Sequence, residues 1–127
     1  MKIIFLFLLS SFMYSEEIKV ASSFHENQTP ETILTYRQDG NSISLINSTS
    51  YYVNNKKSYE AKYLEELPTS KTWWFSNGKR KKKITFKNGK INGKWTTWNI
   101  KGEKLIEKTY YNGELIRTVE SKAKSDY

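Results

Sequence analysis

Two stretches of this chain repeat one spacing of an aromatic residue, a turn glycine and a second aromatic residue. The first aromatic residue stands four positions before the glycine, and the second stands eight positions after it. These positions are held by Trp74, Gly78 and Phe86 and, 24 residues later, by Trp98, Gly102 and Tyr110. A second turn glycine recurs with the same period, as Gly89 and Gly113. Because a fixed period of roughly 20 to 50 residues is typical of repeat proteins, we expect an array of similar units.

The turns of this repeat predict β-hairpins. Asn-Gly pairs supply the positive φ that tight hairpin turns need. They occur at Asn77-Gly78, Asn88-Gly89, Asn92-Gly93 and Asn112-Gly113. Hairpins joined in series form an antiparallel meander. We therefore predict an all-β fold of β-hairpin repeats, with a period of 23–24 residues, that forms an elongated sheet. The predicted repeat turns are Asn55, Gly78, Gly89, Gly93, Gly102 and Gly113.

Alternation along the return strands predicts which side of the sheet is apolar. Side chains two residues apart in a strand share a face. The positions four, six and eight after each turn residue are mostly apolar or aromatic. Lys82 and Lys108 interrupt this row, so we expect their amines to reach the sheet edge or to snorkel towards water. The sheet is expected to be thin, with little opposite this face to close a core.

An earlier copy of the repeat runs from Tyr51 to Tyr63. Tyr51 stands four residues before Asn55, and Tyr63 stands eight residues after it. Asparagine tolerates positive φ, so Asn55 can replace the turn glycine. It stands 23 residues before Gly78, one short of the later period.

Residues 58–67 are open to two interpretations. Alignment with the later copies predicts that 58–63 is a strand. The alternative is an amphipathic helix over 59–67, which Pro68 would end.

The region before Tyr51 contains a further hairpin signal. Asp39-Gly40 lies between two short β-prone segments, at 33–36 and 43–46, which favours a hairpin. Tyr36 again stands four residues before a glycine, but Ser48 occupies the place of the second aromatic residue. We interpret this hairpin as a degenerate copy of the repeat.

The ends of the chain lack the repeat pattern. One lysine and about a dozen mostly apolar residues open the chain, and Glu16-Glu17 end the apolar run before it could span a membrane. We predict a signal peptide over 1–15, a flexible leader over 16–32, a repeat domain over 33–118 with its clear repeats at 51–117, and a disordered tail over 119–127. The predicted location is therefore secreted or periplasmic. The chain has no cysteine, so disulfides and zinc thiolates are excluded.

The repeated turns resemble a known family. Trp-Trp-Phe-Ser-Asn-Gly-Lys, Phe-Lys-Asn-Gly-Lys-Ile-Asn-Gly-Lys-Trp and Tyr-Tyr-Asn-Gly-Glu-Leu are similar to the MORN-repeat variant of the YwqK-like antitoxin family, over 51 to about 117. The resemblance implies an elongated sheet of hairpins, and a role in inhibiting a toxin or in scaffolding. Classical MORN repeats also imply binding to acidic lipids. The chain departs from the pattern at Asn55 and where Leu64-Glu65-Glu66 replaces an Asn-Gly turn.

The net charge of +8 is concentrated in the middle repeat. No Asp or Glu interrupts the segment 71–94. The residues we assign to a candidate patch for an anionic partner are Lys79, Arg80, Lys81, Lys82, Lys83, Lys87, Lys90 and Lys94. The run 79–83 can keep an exposed strand soluble and unpaired, or it can bind an acidic membrane surface or an acidic protein. Export disfavours nucleic acid as the partner.

The four tryptophans form the second candidate site. Trp73, Trp74, Trp95 and Trp98 lie near the repeat turns, which favours a structural role in packing. The alternative is an exposed face that recognises a ligand by stacking. Neither interpretation needs a cofactor or a metal, and no ligand spacing for either occurs in the sequence.

Catalysis is disfavoured by the distribution of titratable residues. Histidine is the commonest general base near neutral pH, and the single histidine, His25, lies in the predicted leader. We therefore predict a secreted, non-enzymatic protein-binding module, such as an antitoxin, an immunity-like inhibitor or an envelope scaffold. The alternative is a peripheral membrane protein held by the basic middle repeat. The oligomeric state does not follow from the sequence.

Overall fold

The computed structural model describes residues 15–122 as one antiparallel sheet of nine strands. Each strand pairs with the next along the chain, so the sheet is a meander without crossovers. The predicted all-β meander of hairpins is therefore confirmed. The strands are β1 (Ser15–Phe24), β2 (Pro30–Asp39), β3 (Ser42–Tyr51), β4 (Lys57–Leu64), β5 (Leu67–Trp74), β6 (Arg80–Lys87), β7 (Lys90–Trp98), β8 (Lys104–Tyr111) and β9 (Glu114–Glu120). Over the same residues, no helix has the length and apolar character needed to cross a membrane.

Four turns of one type lie at one end of the strands, which we call the long-turn end. They join β1 to β2, β3 to β4, β5 to β6 and β7 to β8. In the third of them, Phe75 N–H donates to Lys79 C=O and Gly78 N–H donates to Phe75 C=O, each at 2.9 Å. The other three turns contain the same pair of bonds. The residues of positive φ in these turns are Gln28, Asn55, Gly78 and Gly102. Each turn therefore marks one copy of the repeat, and we number the copies one to four.

The first copy lies where the sequence predicted a flexible leader. Phe24 stands four residues before Gln28, and Tyr36 stands eight residues after it. Gln28 adopts a φ of 67°, while the Asn27 Oδ1 accepts the Thr29 N–H at 3.1 Å and holds the turn closed. The prediction of a flexible leader over 16–32 was thus wrong, because most of this segment forms β1 and the start of β2.

Gly40 belongs to the opposite end of the sheet, the short-turn end. There it joins β2 to β3, as Gly89 joins β6 to β7 and Gly113 joins β8 to β9. The predicted hairpin at Gly40 is confirmed. Its alignment with the long turns was wrong, which explains why Ser48 stood where an aromatic residue was expected. Gly93, which was predicted as a repeat turn, instead lies within β7, where the pairing with β6 is irregular.

The helix alternative over 59–67 is also wrong. β4 continues to Leu64, and the chain reverses at Glu65 and Glu66, which adopt φ values of 50° and 66°. The predicted strand over 58–63 is confirmed. The pair of glutamates thus forms a short turn of the kind that Asn-Gly forms in the later copies.

The chain ends follow the predictions only in part. β9 extends to Glu120, and the Ser121 N–H donates to the Leu105 C=O at 2.7 Å. The start of the predicted tail is therefore ordered. The predicted signal peptide, apart from Ser15 at the start of β1, and the last five residues of the chain lie outside the described residues.

The two faces of the sheet differ in chemistry. Cross-strand pairs place an aromatic face, defined by Tyr59, Ala61, Trp73, Ile84 and Trp95, on one side. The opposite side is the threonine face, defined by Thr35, Thr49, Thr72 and Thr96, all of which are buried. Within residues 15–122 no second layer packs on either face, and Ala61 and Ile84 are the only buried hydrophobic side chains there. The predicted thin sheet is confirmed.

Neighbouring copies are joined at the long-turn end by side chains. Asn77 Nδ2 donates to the Ile100 C=O at 2.9 Å, and Lys79 Nζ donates to the Lys101 C=O at 2.6 Å. The Lys79 side chain lies across the next turn, where a Cβ added at Gly102 would stand 3.2 Å from the Lys79 Cδ. Asn54 and Lys56 make the same two bonds to the third copy. Since these bonds and the strand ladders replace a closed core, Lys79 is a structural residue of the array.

Candidate binding faces

The basic residues of the middle repeat do not form one patch. Lys82 lies on the aromatic face opposite Trp73, whereas Lys83 lies on the threonine face between Thr72 and Thr96. Lys87 and Lys90 face each other at the short-turn end, and Lys79 is engaged in the turn contacts above. Lys81 lies over the Phe75 ring at 5.6 Å, and Lys94 pairs with Glu107. The eight basic residues of the candidate patch are therefore divided between both faces and both ends of the sheet.

The four tryptophans are likewise divided. Trp73 and Trp95 lie on the aromatic face. Trp74 lies on the other face, where the Lys57 amine stands 5.6 Å from its ring and also pairs with Glu60. Trp98 also lies on the threonine face. Its cross-strand partner is Lys104, whose amine contacts Glu107 there. All four rings are half-buried, so each packs on the sheet and still presents a surface to solvent.

The aromatic face alternates rings with amines. Tyr59 and Trp73 are in ring contact at 5.2 Å, and the Lys82 amine lies 4.1 Å from the centre of the Trp73 ring. Burial, with a smaller contribution from Tyr63, raises the pKa of Tyr59 above its usual 10.0. Cation–π contacts at exposed sites contribute about 0.5–1 kcal/mol each, so these side chains are held in place before any partner arrives.

A second group on the aromatic face has the same composition. Trp95 stacks on Tyr110 at 6.1 Å, and the Lys108 amine lies 5.6 Å from the Trp95 ring. Lys82 and Lys108 were expected to reach the edge or to snorkel. Instead, each amine lies over a tryptophan ring of the same face. The interruptions in the apolar row are therefore part of an ordered surface.

The threonine face contains ion pairs at fixed positions of the repeat. In the second and fourth copies, the residue two places after the turn residue is a base, and the residue five places after it is an acid. In the second copy Lys57 Nζ lies 2.7 Å from Glu60 Oε1, and in the fourth Lys104 Nζ lies 2.6 Å from Glu107 Oε2. Side chains three apart in a regular strand point to opposite faces. A β-bulge between the two positions brings them together, and it recurs in each copy.

The third copy breaks this pattern. Its equivalent residues are Arg80 and Lys83, so both positions are basic. Within residues 15–122 neither side chain has an ion pair. The middle of the threonine face therefore has two positive charges where its neighbours have neutral pairs.

Two lysines hold the pKa of Glu107 far below its usual value. Hydrogen bonds from Lys104 and Lys94 lower its pKa from 4.5 to about 2, against the opposing effect of burial. Burial acts to raise the pKa of Glu60, but the hydrogen bond and charge of Lys57, with smaller effects of Asn47 and Lys62, together lower it below its usual value. Both acids are thus ionised partners of lysine at neutral pH.

The low pKa of Glu107 predicts a loss of stability in acid. Because the folded pKa is lower than the unfolded one, the stabilisation is complete above pH 4.5 and is lost as the pH falls to about 2. We expect the free energy of unfolding of Glu107→Gln to fall less than that of wild type between pH 4.5 and about pH 2. Urea denaturation at each pH measures this difference. Glu114→Gln, the same change at an exposed position of β9, is the control. The same smaller fall in both variants would contradict the assignment.

A shallow depression of about 290 Å³ lies on the threonine face over β1–β4. Its lining includes Glu17, Lys19, Lys57 and Glu60, which carry charges of both signs. No motif in the sequence indicated it, because four of its ten lining residues come from the first copy. In the part of the chain that the structure describes, no group of three or more His, Asp or Glu side chains could hold a metal ion.

The fold and the two faces define a single-layer sheet of β-hairpin repeats. No protein-family model matches the chain, and no curated protein matches it either. The resemblance to the MORN-repeat variant of the YwqK-like antitoxin family therefore stays a prediction from the repeated turns.

Proposed function

We propose that this chain is an exported, non-enzymatic module that binds a protein partner through its aromatic face. The observation that supports it most is the pairing of Trp73 with Lys82 and of Trp95 with Lys108 on a face that no other described layer covers. Aromatic residues are enriched at protein interfaces, while a single uncovered sheet leaves them accessible. Such a surface suits a module of the MORN-variant type, which would act as an inhibitor of a toxin or as an envelope scaffold.

Order within the aromatic face also favours binding. Immobilising a mobile side chain at an interface costs roughly 0.5–1.5 kcal/mol. Lys82 and Lys108 are already placed over rings, and Tyr59 and Tyr110 are in contact with the same two rings. A flat partner can therefore cover this surface with little further ordering.

Attachment to an acidic membrane is the second function that the charge suggests, and the geometry supports it less. A planar bilayer meets one face at a time, and the basic run is divided between two faces and two ends. Each basic residue near an anionic surface contributes about 1 kcal/mol. Dividing the run leaves only part of that attraction available in any one orientation.

The test compares partner capture and lipid binding at low and high salt. We expect the immobilised chain to retain a protein from the extracellular or periplasmic fraction at both salt concentrations, because apolar ring contacts are not screened. Trp73→Ala and Trp95→Ala should each weaken retention by about tenfold or more, as expected for central aromatic residues of an interface. Tyr111→Ala, at an exposed ring of the short-turn end, is the control and should retain the partner.

Two outcomes would contradict this function. Retention unchanged in both tryptophan variants would remove the aromatic face from the interface. Co-sedimentation with phosphatidylglycerol vesicles at low salt, lost at high salt and without any retained protein, would favour the membrane function instead.

A further inference from the structure

Equivalent positions of the four copies carry different charges on the threonine face, and this difference marks a second surface. On the threonine face, the second and fourth copies each close a base and an acid into a pair within 2.7 Å. The first copy has Pro30 and Ile33 at these positions, and neither is charged. The third copy alone among the four has two bases there, Arg80 and Lys83. The position that is an acid in the second and fourth copies is thus a lysine, Lys83, in the third copy.

Lys83 lies between two buried threonines on the threonine face. They are Thr72 and Thr96, which are only 6% and 5% exposed. Lys83 itself is half-buried, and Arg80 is exposed at the end of the same strand. The recurrent bulge turns Arg80 to the face of Lys83, as it turns Lys57 to the face of Glu60. Arg80 and Lys83 therefore lie on one face, at the two positions whose counterparts are in contact in the second and fourth copies.

The neighbouring acids limit what can bind there. Glu60 and Glu107 lie in the same cross-strand row as Lys83, each two strands away. With strands about 4.8 Å apart, they stand about 10 Å to either side. Each is already paired with lysine. An extended array of negative charges, such as a lipid surface or a polyanion, would place further anions against these carboxylates, which would repel them. A single anion is therefore favoured at this site.

We infer that Arg80 and Lys83 bind a single carboxylate of an aspartate or glutamate side chain on a partner polypeptide. The carboxylate takes the place that Glu60 and Glu107 occupy in the adjacent copies. The guanidinium of Arg80 offers paired donors that match a carboxylate, and Lys83 adds a second charge-assisted bond. The site lies on the opposite side of the sheet from the aromatic face, so it is a second binding site and does not depend on the first.

The experiment uses probes of defined charge on the full mature chain. The probes are a blocked, glycine-rich peptide with one central glutamate, the same peptide with glutamine, and phosphatidylglycerol vesicles. Binding is followed at low salt by NMR of the backbone amides. We expect the glutamate peptide to shift the amide signals of Arg80, Lys83, Thr72 and Thr96. The glutamine peptide and the vesicles should leave these signals in place.

Two variants with the same change of charge distinguish binding at this site from non-specific electrostatic attraction of the peptide to the basic chain. Lys83→Glu supplies the missing acid within the chain, so it should pair with Arg80, keep the fold stable and raise the dissociation constant of the glutamate peptide about tenfold or more. Lys87→Glu, on the same strand at the short-turn end, should leave that constant nearly unchanged. Equal weakening in both variants, or equal shifts with the glutamine peptide, would overturn the inference. Vesicle-induced shifts at these four amides would overturn it in favour of a membrane. Because none of these readouts involves Trp73 or Trp95, failure here leaves the proposed function of the aromatic face standing.

Discussion

Gly93→Ala is expected to lower the free energy of unfolding by about 3 kcal/mol. Gly93 adopts a φ of 90°, and a Cβ there would stand 2.6 Å from the Thr85 Oγ1. The Thr85 hydroxyl cannot move away cheaply, since it donates to the Asn92 C=O at 2.6 Å and accepts the Lys94 N–H at 3.0 Å. A methyl group therefore adds backbone strain and breaks two hydrogen bonds that hold the irregular pairing of β6 with β7.

Urea denaturation of Gly93→Ala and Gly40→Ala separates these two costs. Gly40 has a φ of 60° and nothing within 4 Å of its Cβ position, so its substitution measures the backbone term alone, about 1 kcal/mol. Gly93→Ala with Thr85→Ala removes the clash and should recover part of the loss. A loss at Gly93 no greater than that at Gly40 would show that Thr85 does not restrain this segment.

The sequence could predict the meander because its turn chemistry is explicit in most copies. Asn55 and the turn glycines mark positions of positive φ, and the aromatic residues keep their distance from them. The first copy was missed because Gln28 has no such preference, and its φ of 67° is held by the surrounding turn. A signal was nevertheless present. Phe24 and Tyr36 keep the spacing of the repeat, and Asn27 precedes Gln28 as Asn77 precedes Gly78.

The candidate sites were predictable in composition but not in arrangement. The basic run and the tryptophans were identified from the sequence, yet both groups are divided between the two faces. Ordinary alternation along a strand divides neighbours such as Trp73 and Trp74. The bulge of one residue after each long turn reverses that alternation, and it alone brings Arg80 to the face of Lys83. Nothing in the residues at the bulge, such as Ser58, Lys81 and Leu105, marks it. The face of Arg80 relative to Lys83 therefore required the structure.

The exchanged charge of the third copy, by contrast, depends on both the sequence and the structure. The period aligns Lys83 with Glu60 and Glu107, which is a statement about the sequence. Only the ion pairs in the structure show that an acid at this position binds the base of its own copy. The exchange of charge in the third copy becomes informative once its neighbours define what the position does.

The final long turn predicts a second large loss of stability, at Asn99. This side chain is 2% exposed, and its Oδ1 accepts the N–H groups of Lys101 at 3.1 Å and Glu103 at 2.9 Å. Its Nδ2 donates to Glu103 Oε2 at 2.8 Å. Asn99→Ala leaves two backbone donors without this acceptor, and we expect a loss of about 2–3 kcal/mol in urea denaturation. Asn77→Ala, at the exposed third turn, should lose less than about 1 kcal/mol, because water replaces its partners.

Asn99→Asp tests the same turn by charge. The new carboxylate keeps the acceptor for both N–H groups, but it replaces the Nδ2 donor and faces the Glu103 carboxylate across the same short distance. Two like charges in contact raise the pKa of one of them, so the variant loses stability as the pH rises through that value. We therefore expect Asn99→Asp to be closest to wild type in acid and to fall behind it towards neutral pH, whereas the deficit of Asn99→Ala should stay constant. A deficit of Asn99→Asp that does not change with pH would mean that Glu103 turns away, and that the side chain at position 99 supports the turn only through the two backbone N–H groups that bond to its Oδ1.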